Sequence, residues 1–158
     1  MVATFKEDLA KAKTAEKIVR EKLSSLVEDY LFMDVSSLKE FYHQGDIMAA
    51  NAEGDVRFIE VKDDSKIAET KNVLCEDEVY YKYENYFAKG NMAYDYDIYA
   101  VVSQAGRKIY FIDFPILRDN YKKGIFKQIE HSQQTTYCYL VGLHQIKKWG
   151  ALLGVICY

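Results

Sequence analysis

Gly45-Asp46 precedes Glu60-Val61-Lys62 by about one hairpin of chain: an acid, then an acid and a lysine one residue apart. Two carboxylates and an ammonium that converge can hold a hard divalent cation and set a positive charge beside it. A phosphodiester resists attack because its own negative charge repels hydroxide. A cation such as Mg²⁺ takes carboxylate and water oxygens, stabilises charge on phosphoryl oxygens and acidifies a bound water. Asp46 and Glu60 are the candidate metal ligands. Lys62 is placed to orient the attacking water or to stabilise the transition state by its charge. Its role as a base depends on how far burial and the cation lower its pKa.

Strand geometry tells which elements must position these groups. Side chains alternate along a strand, so Glu60 and Lys62 point one way and Val61 the other. Val56 to Lys62 reads as a central strand with its polar groups at one end, Ile47 to Ala50 as a second strand, and Asn51-Ala52-Glu53-Gly54-Asp55 as the turn between them. An antiparallel hairpin of this kind brings Asp46 beside Glu60 to Lys62. Asp46 shares a face with Glu60 only if the loop is of odd length or a bulge shifts the pairing.

A fourth group comes from the N-terminal segment. Phe5, Leu9, Ala12, Val19, Leu23, Leu26 and Tyr30 recur at helical spacing, and Glu16 falls inside that apolar stripe. A carboxylate aimed at a core costs several kcal/mol unless it is paired or bound to metal. Glu16 is therefore expected to lean over the hairpin and complete the site, directly or through a water.

Glu16 in Thr14-Ala15-Glu16-Lys17-Ile18-Val19, Gly45-Asp46 and Ile59-Glu60-Val61-Lys62 together resemble the PD-(D/E)XK, or restriction-endonuclease-like, nuclease superfamily. The stretch from Glu60 to Glu76 further resembles small phage and bacterial members in which such an E-V-K precedes an E-T-x-N segment and a glutamate. The likeness spans roughly residues 5 to 118, with Gly45 where the superfamily name has proline. It implies an α/β fold, a mixed β-sheet flanked by α-helices with an αβββαβ core. It also implies a Mg²⁺-dependent endonuclease acting on DNA, with Mn²⁺ able to substitute. Asp46, Glu60, Lys62 and Glu16 would be the catalytic set, and Asp46, Glu60 and Glu16 the metal ligands. The alternative is a non-catalytic module of the same fold that binds nucleic acid or a partner protein, since fold does not determine function.

Composition bounds these readings. The 158 residues suit one domain, with 119–158 a C-terminal extension packed on the core. The formal net charge of -3 is not that of a protein that coats nucleic acid. Residues 41–80 hold ten acids against four bases and 81–158 six acids against ten bases, which sets an acidic half beside a basic one. Lys122, Lys123 and Lys127 are candidate phosphate contacts, weighed against ordinary surface lysines. A homodimer would suit double-strand cutting, and an acidic chain would suit substrate delivered by a partner protein. His43 is a candidate proton donor or metal neighbour, and the fourteen tyrosines are read first as strand packing and second as base-stacking surfaces.

Cys75, Cys138 and Cys157 lack metal-site spacing and are expected to be free buried thiols in a reducing cytoplasm. No signal core or spanning apolar run is visible, so a cytoplasmic protein with no membrane contact is expected. Further along, Asp63 to Asn72 reads as a loop, Val73 to Glu76 as a short strand and Glu78 to Lys89 as a short helix. Tyr94 to Ser103 and Lys108 to Phe114 form a second hairpin, with Pro115 stopping its second strand and a helical turn following. Lys122 to Gln134 shows little periodicity. Thr135 to Leu143 reads as a strand and Gln145 to Leu153 as a helix.

Overall fold

The computed structural model describes residues 5–158 apart from Tyr42; the predicted place of the Phe5 side chain in the helical stripe falls outside the described residues. Helix α1 (Phe5–Leu26) leads into β1 (Tyr30–Asp34), β2 (Ile47–Asn51), β3 (Val56–Asp63) and a single turn α2 (Ile67–Thr70). Then come β4 (Asn72–Tyr81), β5 (Tyr86–Lys89), β6 (Ile98–Ser103), β7 (Lys108–Asp113) and α3 (Phe114–Asn120). The chain ends with β8 (Ile125–Glu130), β9 (Gln134–Gly142), α4 (Leu143–Lys148) and β10 (Leu152–Cys157).

The fold is mixed α/β, as expected. A six-stranded sheet runs in the order β1-β2-β3-β6-β7-β10, antiparallel throughout except for the parallel pair β3 and β6. The strands β5-β4-β9-β8 form a second, wholly antiparallel sheet. Strand β6 explains the layering, because both its faces are buried. Ala100 and Val102 join Ile47, Ile59, Val61, Ile109 and Phe111 under Ala15 and Val19 of α1. Tyr99 and Val101 face the other way, into a core closed by Val73, Cys75 and Val141 of the second sheet, by Phe114 and Leu117 of α3, and by Ile146 of α4. Each such large side chain contributes about 1.5–3 kcal/mol of apolar burial.

Several elements differ from expectation. Glu78 to Lys89 is not a helix: it forms the end of β4, a turn and β5, because Val79 is buried and Tyr80 packs in a tilted ring contact on Phe87 across the strand pair at 4.7 Å. Between β3 and β6 the chain makes the short α2 and then this two-stranded excursion. The first helix stops at Leu26, and Tyr30 starts a strand. Leu9 and Leu26, assigned to its buried stripe, are 50% and 59% exposed. The aperiodic Lys122 to Gln134 segment contains β8, an edge strand with almost no buried residue. Of Gln145 to Leu153, only the first part is helical, and Leu152 begins β10. Residues 119–158 supply strands to both sheets. Pro115 sits in the first turn of α3, with Asp113 Oδ1 accepting the Ile116 N–H at 3.0 Å. Cys75 and Cys138 are free and buried, whereas Cys157 is exposed. Among the described residues no helix is long and apolar enough to cross a membrane.

Candidate active site

The site is built where β2 stops short of β3. Their ladder runs from Ala50↔Val56 to Ile47↔Ile59, so five residues lie between the last paired positions and the odd-length condition holds. Beyond Ile59, β3 pairs only with β6, through Glu60↔Tyr99, Val61↔Ala100, Lys62↔Val101 and Asp63↔Val102. Its other edge is open. Asp46 reaches into that opening: its N–H donates to the Ile59 carbonyl at 2.9 Å, and its Oδ2 accepts the Val61 N–H at 2.9 Å. One carboxyl oxygen thus closes a strand edge that β2 leaves unpaired. Gly45 makes the approach possible. Its φ is +138°, and a Cβ there would lie 2.9 Å from the Ile59 carbonyl oxygen.

The parallel register sets the faces of β3. Val61 lies with Ala100 under α1, while Glu60 and Lys62 lie with Tyr99 and Val101 on the face toward the second sheet. Glu16 descends from α1, 8% exposed, with Oε2 accepting from Lys13 Nζ at 2.9 Å and from Ser36 Oγ at 3.1 Å. Lys13 also donates to Ser36, and Ser36 Oγ bonds Asp34 Oδ1 at 2.6 Å. Glu16, Asp46, Glu60 and Lys62 all line one cavity of about 380 Å³, closed further along by Asp63. The structure therefore brings together the four residues singled out from sequence.

Electrostatics reflect this crowding. Burial pushes the Asp46 carboxyl up to about 6; the Val61 N–H opposes the shift and the Glu16 charge adds to it. Burial also drives Glu60 well above the carboxylate range, helped by the Asp46 charge and opposed by Lys62. Burial pulls Lys62 down, but Glu76 and Glu60 outweigh it, so its pKa ends above the ordinary lysine value. In this state Lys62 is a charged group and not a base.

Glu76 is the residue that sequence reasoning left without a role. Its Oε1 accepts from Lys62 Nζ at 2.8 Å, and its N–H donates to Asn91 Oδ1 at 3.0 Å. Asn91 Nδ2 in turn donates to the buried Tyr99 hydroxyl at 2.7 Å. A bulge in β4 at Asp77, between the pairs Glu76↔Cys138 and Glu78↔Tyr137, sits beside this contact. Lys13 and Ser36 carried no signal either. Lys13 lies three residues before Glu16 on the same helix, and Ser36 meets Glu16 solely through the fold.

Other candidates lie elsewhere. Lys122 Nζ is 3.7 Å from Asp77, Lys123 Nζ bonds Asn120 at 2.6 Å, and Lys127 is exposed on the edge strand β8. None of the three lines a cavity at the carboxylates. His43 stacks on Tyr94, ring centroids 4.2 Å apart, in a neighbouring cavity that also touches Asp46 and Glu60.

The donor chemistry fits Mg²⁺ or Mn²⁺: hard carboxylate oxygens, driven toward protonation by burial and by one another's charge. Asp46 and Glu60 carry this fit. Glu16 is committed to Lys13 and Ser36, and among the described residues no three His, Cys, Asp or Glu side chains form a ready-made metal cluster. One Asp63 carboxyl oxygen is buried without a hydrogen-bond partner among the described residues.

No protein-family model matches the chain, and no curated protein matches it. Among solved structures it is similar to a bacterial homing endonuclease, I-Ssp6803I, at 12% identity and a TM-score of 0.49, over 85% of this chain and 78% of that one.

Proposed function

We propose that the protein is a metal-dependent DNA endonuclease of the PD-(D/E)XK kind. The observation that supports this best is the meeting of Glu16, Asp46, Glu60 and Lys62 in one cavity at the open edge of β3. A same-face ion pair between Glu60 and Lys62 would not account for it, since Lys62 pairs with Glu76 and two further carboxylates converge on Glu60. Asp46 and Glu60 would hold Mg²⁺, with Glu16 behind them through a water. The cation supplies Lewis-acid polarisation of a phosphoryl oxygen and a more acidic bound water.

The remaining work falls to the chain's own groups. Lys62, held by Glu76, presents a fixed positive charge to the oxygens on which charge develops during attack. Glu76, anchored through Asn91 to Tyr99, keeps that ammonium in place and charged. Asp46, tied to Val61 N–H, keeps one oxygen fixed and leaves the other for the site.

The test is incubation with supercoiled plasmid, single-stranded DNA and a four-way junction in Mg²⁺ or Mn²⁺, alongside Lys62→Ala and Glu60→Gln. Cleavage by the parent and not by the variants is the expected outcome. No cleavage in either metal, or equal cleavage by the variants, refutes turnover. Binding without cleavage would identify a non-catalytic module.

A further inference from the structure

A second cavity, of about 320 Å³, adjoins the first and shares Asp46 and Glu60 with it as a common wall. Its character is different. Phe41, His43, Tyr94 and Tyr96 supply rings to its lining, together with Val79 and Tyr81 of β4. The rings are held in place: His43 and Tyr94 are stacked within 9° of parallel, and Tyr96 packs edge-on against buried Phe114 at 4.8 Å. All three carboxylates of this cavity, Asp46, Glu60 and Glu76, stand at the end shared with the first or beside it. Lys89, exposed on β5, is the one lysine or arginine of its lining among the described residues.

That arrangement discriminates among parts of a nucleic acid. A second phosphate would meet the carboxylates and be repelled, whereas a neutral, flat base meets aromatic faces. Stacking on such faces is tolerant of base identity. The volume is at the small end of the range for ligand pockets, roughly 300–1,000 Å³, and admits one nucleoside but not a base pair. A phosphodiester held at Asp46 and Glu60 would have one of its two nucleosides directly beside this opening, and the next phosphate would fall toward Lys89.

We propose that the second cavity is a subsite for one unpaired nucleoside flanking the scissile phosphodiester. The preferred substrate is then DNA that is single-stranded, or opened, at the cleavage point. This rests on the reading of Asp46 and Glu60 as the phosphodiester site and adds to it the class of substrate. Tyr94 and Phe41 are binding residues of the subsite, and Lys89 contacts the neighbouring phosphate. A nucleotide must leave the duplex stack to enter, which costs least where the strand is already unpaired.

The experiment compares the affinity of a twelve-nucleotide single strand with that of its duplex, by fluorescence anisotropy in Mg²⁺, on the turnover-silent Lys62→Ala background. Tyr94→Leu should weaken single-strand binding about tenfold by loss of stacking and leave duplex binding unchanged; Tyr94→Phe should keep the parent affinity. Lys89→Ala, on the exposed rim and away from the core, should reduce the salt slope of single-strand binding by about 0.7, and keeps the test available if Tyr94→Leu fails to fold. Single-strand binding untouched by both Tyr94→Leu and Lys89→Ala, or equal losses for strand and duplex, overturns the subsite while the endonuclease reading stands. A parent that binds neither form overturns both.

Discussion

Substituting Gly45 by alanine tests the geometry of the site without removing any functional group. At φ +138° the backbone lies in a region that side chains with a Cβ rarely enter, at a cost of about 1–3 kcal/mol. The added Cβ would also stand 2.9 Å from the Ile59 carbonyl oxygen and 3.1 Å from its carbon. Those are backbone atoms, so β3 or the Gly45-Asp46 segment must move by several tenths of an ångström. Gly54 provides the control: its φ of +87° is also left-handed, but nothing lies within 4 Å of its Cβ position. Gly54→Ala therefore carries strain alone, about 1 kcal/mol, and Gly45→Ala carries strain plus displacement, about 3 kcal/mol. At roughly 2–4 °C per kcal/mol for a chain of this size, Gly54→Ala should melt about 2–4 °C below the parent and Gly45→Ala about 6–12 °C below it. The displacement falls on Asp46, whose carboxyl leaves the Val61 N–H. A shift of about 1 Å at a reacting group costs on the order of a hundredfold in rate. Calorimetric melting and plasmid cleavage, measured below the lower transition, check both halves. Equal melting of the two variants, or parental cleavage by folded Gly45→Ala, would refute the close approach as the reason for glycine.

Three further outcomes are expected. Asp46 titrates at about 6 when folded against an ordinary 3.8, so folding favours its protonated form, and stability falls as pH rises through that window. Asp46→Asn removes a penalty of up to about 3 kcal/mol: it should melt above the parent at pH 8 and match it below pH 4, and Mg²⁺ at pH 8 should raise the melting point of the parent alone. Glu76→Gln takes the counter-ion from Lys62, and cleavage should fall roughly tenfold or more with binding retained, in a rate measurement at saturating DNA. Tyr99→Phe leaves the buried Asn91 amide without its 2.7 Å acceptor, a loss of about 1–3 kcal/mol readable by urea titration.

The parts of this site that were legible in the sequence are those with local periodicity. The β2–β3 hairpin showed itself through two apolar runs around a turn, and Glu16 through its place in a helical stripe, confirmed by the burial of Ala15 and Val19 on either side. The second sheet was legible only in part, through Thr135 to Leu143, which is β9, and Val73 to Glu76, which is the start of β4. Strand β8 is exposed along nearly its whole length, so it has no alternation to read, and its partner β9 supplies its order. Strand β4 mixes acids and tyrosines, with a bulge at Asp77 that breaks the period of two in mid-strand. Strand β1 follows the helix with another apolar run, Tyr30-Leu31-Phe32-Met33, which reads as more of the same stripe. Glu76 and Ser36 were invisible for a different reason: each owes its role to a partner fourteen or more residues away.

The open edge of β3 also bears on when the site comes into being. The β2–β3 hairpin is local and can form within microseconds of its residues becoming available. Its acids then stand together without Lys62 in place, because the strand carrying Glu76 is ordered by β9, more than fifty residues further along. The parallel pairing of β3 with β6 and the docking of β10 on β7 are likewise remote in sequence, the kind of contact that slows folding to milliseconds or longer. At a synthesis rate of about 5–20 residues per second, several seconds separate the emergence of Lys62 from that of β9. For that interval the growing chain holds the carboxylates of the proposed phosphodiesterase site but not its clamped lysine, so any competence to cut would arrive only with the finished domain.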